Sequence, residues 1–160
     1  MKAAFLFNFT AMSRFIVLDS GPVGMVSNPR ATSLSLECQL WLDSLPAKGY
    51  EVALPEIADY EVRRELMRAG KVAGVRHLDL LKTLVNYLQI NTETMLLAAE
   101  LWAQSRRAGR PTADPKELDG DVILAAQAIL LAAEGHEVII ATTNVGHLSQ
   151  FVDARDWRLI

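Results

Sequence analysis

Phe15-Ile16-Val17-Leu18 is apolar at four successive positions, with no polar residue marking a solvent face. A strand of this kind is buried on both sides, as strands are in a parallel sheet covered by helices. Residues 50–54, 87–90 and 137–141 read as further short strands, and residues 157–160 as a candidate fifth at the sheet edge. Helical patterns lie between them. Residues 32–45 carry apolar side chains at 34, 36, 38, 41, 42 and 45, and Pro46 and Gly49 stop that helix. Pro55 opens a second helix that runs to Ala69 and ends at Gly70. Residues 75–86 form a third, and a fourth runs from a cap at Asn91 or Thr92 to Ala108, stopped by Gly109. After a polar loop, residues 122–134 make a helix that is apolar on nearly every side and therefore buried. Strands separated by helices imply an α/β domain of three layers: a mostly parallel sheet of four to five strands with helices on both faces.

The length of 160 residues suits one domain, and 51% hydrophobic residues are enough for a core. A net charge of −3 excludes a generally basic nucleic-acid-coating protein, though not a local basic patch. With Cys38 as the single cysteine, neither an intrachain disulfide nor a thiolate metal cluster can form, which suits a cytoplasmic setting. No apolar run reaches the ~20 residues that span a bilayer, so no membrane role is expected. The start only faintly resembles a signal sequence, because Asn8 and Thr10 break its apolar stretch. Residues 1–11 are expected to be a disordered extension, with Met12 an alternative start and residues 12–160 the domain.

Ligands of open α/β sheets bind at the carboxyl ends of the strands. Asp19 follows the first strand. The helix after the second bears Glu56, Asp59, Glu61 and Glu65. Asp119 and Asp121 precede the buried helix, and Thr142, Thr143 and Asn144 follow the fourth strand. Hard oxygen donors gathered without Cys or clustered His suit Mg²⁺ or Mn²⁺ rather than Zn²⁺. Each element also has a purely structural reading. Asp19 is a turn former, Asp119 and Asp121 are helix caps, and the acids of the second helix are a solvated face. Ala58, Val62, Leu66 and Ala69 form that helix's buried stripe, with Asp59 and Glu61 flanking it on opposite sides.

The strand ending in Asp19-Ser20-Gly21, the stretch Tyr60-Glu61-Val62-Arg63-Arg64-Glu65-Leu66, the stretch Asp121-Val122-Ile123-Leu124-Ala125-Ala126-Gln127-Ala128 and Ala141-Thr142-Thr143-Asn144 resemble, in this order, the motifs of PIN domains. The third is the most specific, and the resemblance covers residues 13–160. It implies the PIN fold and a metal-dependent ribonuclease, notably of the VapC-like toxins that pair with antitoxins. It places Asp19, Glu61 and Asp121 at the family's first three acidic, metal-holding positions and Asn144 at the fourth. Thr142 takes the position of a small hydroxyl residue, and Asp119 is a further acidic candidate. The amide of Asn144 removes a charge from a second metal position.

That chemistry is phosphodiester hydrolysis of RNA with Mg²⁺ or Mn²⁺. Arg63, Arg64 and Arg68 after Glu61, and Arg106, Arg107 and Arg110 before Asp119, are candidate phosphate contacts. His147 reads as a rim contact rather than a catalyst. Trp41, Trp102 and the Leu/Met-rich helices suggest packing or a homodimer. The alternative is a non-catalytic PIN-like module that binds RNA or protein. A phosphatase of the haloacid dehalogenase type needs a second Asp two residues after Asp19, where this chain has Gly21. A response-regulator receiver fails too, since no acidic pair precedes the first strand.

Overall fold

A computed structural model describes residues 11–111, 114 and 119–160. Five strands, β1 (Arg14–Leu18), β2 (Glu51–Pro55), β3 (Asn86–Leu88), β4 (Glu137–Thr142) and β5 (Ala154–Asp156), form one sheet in the order β3-β2-β1-β4-β5. Every pairing is parallel. The helices are α1 (Ser20–Ser27), α2 (Ser33–Ser44), α3 (Glu56–Arg68), α4 (Val72–Leu84), α5 (Thr92–Arg107), α6 (Gly120–Ala133) and α7 (Val145–Leu148). No helix of the described residues is long and apolar enough to cross a membrane. The extension expected at residues 1–11 lies, except for Ala11, outside the described residues, as do parts of the loop before Asp119.

The apolar run of β1 is divided between two cores by the period of the pleat. Ile16 and Leu18 point into one, with Cys38, Leu42, Ala58, Val62 and Leu78 from the helices α2 to α4. Phe15 and Val17 point into the other, with Ala98, Leu101, Leu124 and Leu148 from α5, α6 and α7. This is the three-layer α/β arrangement expected of alternating strands and helices. Gly49, Gly70 and Gly109, read as helix stops, have φ of 84°, 66° and 69°, the left-handed conformation that a non-glycine residue adopts at a cost.

Several boundaries differ from expectation. Residues 19–22 are not a turn: Asp19 caps α1, and Pro22 sits in its first turn, where the missing N–H has no helical partner to lose. Helix α4 starts three residues before 75, since Gly74 is an interior residue. A Cβ there would lie 2.7 Å from a Leu66 methyl, so the glycine lets α3 and α4 approach. Strand β3 is shifted toward the amino end, to residues 86–88. The fifth strand lies at residues 154–156, not 157–160. Trp157 begins a 3₁₀ turn instead, 1% exposed, with its ring edge-on to Trp41 at 5.5 Å. Both tryptophans therefore plug one core, which leaves Trp41 no part in an exposed dimer face.

Helix α3 is held in rotation by a buried polar cluster. Asp59, 4% exposed, accepts from Arg63 Nε at 2.9 Å and from the Tyr87 hydroxyl at 3.0 Å, and Arg63 also donates to Asp79 at 2.8 Å. Burial, and then the hydrogen bond to Asp59, push the Tyr87 phenol up from its ordinary value. The apolar stripe of α3 is Ala58, Val62 and Leu66; Ala69 lies past the helix end and is exposed. Removing one partner of such a pair strands the other. Asp59→Ala is therefore expected to lower unfolding stability by about 3 kcal/mol, and Tyr87→Phe by about 1 kcal/mol, in denaturant titrations. An Asp59→Ala loss of only a few tenths would show that the cluster does not hold the helix.

Candidate active site

The sheet order reverses between β1 and β4, and at such a switch point the loops leaving the two strands open a crevice. Asp19 ends β1 there. Its N–H still donates to the Ala141 carbonyl at 3.0 Å, so the two strands remain zipped up to the site. One carboxylate oxygen of Asp19 accepts from the Ser20 N–H at 2.7 Å, and the other accepts from the Thr142 hydroxyl at 2.7 Å. Thr142, fully buried, in turn accepts from the Asn144 N–H at 2.9 Å. The hydroxyl at 142 thus couples the Asp19 rotamer to the backbone of the loop after β4. Asn144 is exposed, and its side chain does not cap α7.

Glu61 reaches the crevice from α3 and Asp121 from the first turn of α6. Burial, and next the charge of Asp19, raise the Glu61 carboxyl above its ordinary value; Arg64 lowers it, and Asp121 and Asp119 raise it further. Asp121 is raised by the same first two causes, burial and then Asp19, against a lowering by the hydrogen bond from His147. His147 Nδ1 stands 3.2 Å from Asp121 Oδ2. Asp19, Glu61 and Asp121, from three separate elements, thus lie near enough for their charges to interact.

Asp119 has the structural role that was its alternative reading. It is 5% exposed and caps α6, accepting from the N–H groups of Asp121 at 3.1 Å and Val122 at 3.4 Å. Its charge still reaches Glu61 and Asp121. Among the described residues, no three His, Cys, Asp or Glu side chains stand gathered as a ready-made cage for an ion. The site's donor atoms are of the hard oxygen kind that divalent cations take. They are carboxylate oxygens that repel one another, and Arg64 and His147 are the cationic or hydrogen-bonding neighbours that lower Glu61 and Asp121.

The arginines sort by their partners. Arg63 is engaged by Asp59 and Asp79, and Arg68 holds Glu65 through two nitrogens, so neither is poised for phosphate. Arg64 lies over the Tyr60 ring at 5.2 Å and makes no ion pair among the described residues. Arg106 stacks over Trp102 at 5.0 Å. Two glycines escaped sequence reasoning. A Cβ on Gly120 would lie 2.6 Å from Glu61 Oε1, and one on Gly21 would lie 2.6 Å from Thr143 Oγ1. Gly120 lets the Glu61 carboxyl approach α6, and Gly21 lets Thr143 approach α1. The available signal was their position, each in the first turn of a helix capped by an aspartate.

The sequence matches no protein-family model and no curated protein. Solved structures do match. VapBC2 from Rickettsia felis bound to a DNA fragment from its promoter aligns at 15% identity and a TM-score of 0.66, over 89% of this chain and 98% of that one. VapBC-1 from nontypeable Haemophilus influenzae aligns at 16% identity and 0.63, over 90% and 98%. DNA-bound VapBC from Salmonella typhimurium aligns at 16% and 0.56, over 91% and 99%. Likeness of this extent at such identities is likeness of fold, and the chain has a PIN-like fold.

Proposed function

We propose that this protein is a metal-dependent ribonuclease, a toxin-like PIN domain that hydrolyses RNA phosphodiester bonds with Mg²⁺ or Mn²⁺. The observation that carries the reading is the shared field of Asp19, Glu61 and Asp121 at the β1/β4 switch point. These three residues are the ones to hold the cation. When bound, the cation supplies a polarised scissile phosphate and a more acidic water. Thr142 orients Asp19 and is itself held by the Asn144 backbone N–H, and His147 restrains Asp121.

The reading extends to partners. Leu36, Leu80 and Leu84, 52%, 58% and 72% exposed, border a groove with Met25 and Val26 between α1, α2 and α4. Exposed apolar surface of this kind marks a protein contact. An antitoxin is its natural occupant, since the structures of like fold are VapBC complexes. Pairing of two copies and a cytoplasmic setting belong to the same reading.

Asp121→Asn keeps the shape of the side chain and removes one negative charge. Cleavage of single-stranded RNA is expected to require Mg²⁺ or Mn²⁺, to stop with chelator, and to fall at least about a hundredfold in the variant. Equal rates for variant and wild type would overturn the ribonuclease reading in favour of a non-catalytic module.

Glu61 and Asp121 also make the metal-free protein sensitive to pH. Their folded values lie above the unfolded ones, so their stabilising contribution is complete below about pH 4 and is lost as pH rises through the raised values. The double variant Glu61→Gln/Asp121→Asn should therefore melt higher than chelated wild type at neutral pH, with the difference closing toward pH ~4. A gap that widened in acid would contradict the repulsion.

Gly120→Ala tests the packing of Glu61. The added methyl meets the flexible end of that side chain, so melting should move by no more than a few degrees. The displaced carboxylate should lower cleavage about ten- to a hundredfold. An unchanged rate would mean that the position of Glu61 is not critical.

A further inference from the structure

Helix α1 is eight residues long and contains two glycines, a composition that weakens a helix. Gly21 is accounted for by Thr143. Gly24 is not, because a Cβ there would meet nothing within 4 Å and its φ is not positive. No neighbour in the fold needs this residue to be small. It lies on the floor of an open groove of about 440 Å³ between α1 and α3, which starts at Ser20, Gly21 and Glu61 and is bordered by Arg64 and Lys71. Arg64 and Lys71 make no ion pair among the described residues, whereas Arg68 on the same groove is held by Glu65. The groove thus joins three properties: open space above Gly24, Arg64 and Lys71 on its border outside any ion pair (Arg64 resting on Tyr60), and direct continuity with a carboxylate of the candidate active site.

We infer that this groove seats the sugar-phosphate backbone of single-stranded RNA next to the scissile phosphate, with Arg64 and Lys71 contacting phosphates and Gly24 giving the chain room to pass. The inference rests on the ribonuclease reading and adds to it the path by which the substrate enters. Phosphate fits the groove better than a base does, because its lining holds Arg64, Arg68 and Lys71 and no aromatic side chain.

The test uses a fluorescently labelled single-stranded RNA and the full chain carrying Asp121→Asn, so that binding is read without cleavage. Anisotropy titrations over a range of salt concentrations compare this parent with added Arg64→Gln, Lys71→Gln or Gly24→Glu. Lys48→Gln serves as a control: Lys48 precedes β2, at the amino ends of the strands, whereas the cleft is at their carboxyl ends. Each lost cation is expected to reduce the slope of log affinity against log salt by about 0.7. Gly24→Glu, which places bulk and negative charge on the floor, should weaken binding about tenfold or more. The control should match the parent, and circular dichroism should show all variants folded. Salt-dependent binding that is the same in all three groove variants, or equally weakened in the control, overturns the groove while leaving the ribonuclease reading intact. Metal-dependent cleavage by wild type that Gly24→Glu leaves unchanged in KM has the same meaning. Absence of both RNA binding and cleavage removes the reading and the groove together.

Discussion

The parallel pairing of β1 with β4 is the constraint from which the rest of this molecule follows. β1 is flanked on one side by β2 and on the other by β4, and its four apolar residues serve both cores. The connections leaving β1 and β4 diverge, and the crevice between them lies where Asp19 and Thr142 meet. Slipping β4 by one residue against β1 would turn Ile139 and Ile140 to the wrong cores and part the Thr142 hydroxyl from Asp19. Hydrophobic register and polar geometry are thereby set by one ladder.

The crevice gathers charge against the preference of the fold. Burial and mutual repulsion both oppose ionisation of Glu61 and Asp121. A core selected for stability alone would not place carboxyls there. The surrounding structure carries the arrangement because each acid is anchored on a different rigid element, and because Gly120 and Gly21 admit close packing around them. In contrast, Asp59 on the same helix is buried with a full set of partners, and its acidity serves packing.

Most of the architecture was legible because it is written in period and punctuation. The unbroken run at 15–18 marks a doubly covered strand, and Gly49, Gly70 and Gly109 stop their helices at positive φ. What escaped depends on tertiary contact. Gly74 looks like a breaker, yet it lies inside α4 because a Leu66 methyl needs its space. Trp157 has the apolarity of a strand residue, yet it fills the core beside Trp41. At the site, Asp19 and Asp121 stood out by their places after a strand and at a helix start, whereas Glu61, inside α3 among Glu56, Asp59 and Glu65, was singled out only by the resemblance to PIN motifs. The division of the arginines was not, because whether Arg63 or Arg64 is available depends on Asp79, which stands 16 residues further along the chain than Arg63.

The cluster that anchors α3 has one more consequence. Asp59 and Glu61 are two residues apart, roughly 200° around the helix, so the first looks toward β3 and the second toward the crevice. The helix behaves as a key whose bit is turned by its shank: the contact with Tyr87 sets the angle at which Glu61 is presented. The Asp59–Arg63 ion pair and the Tyr87 hydrogen bond oppose a rotation that would carry Glu61 away from the crevice.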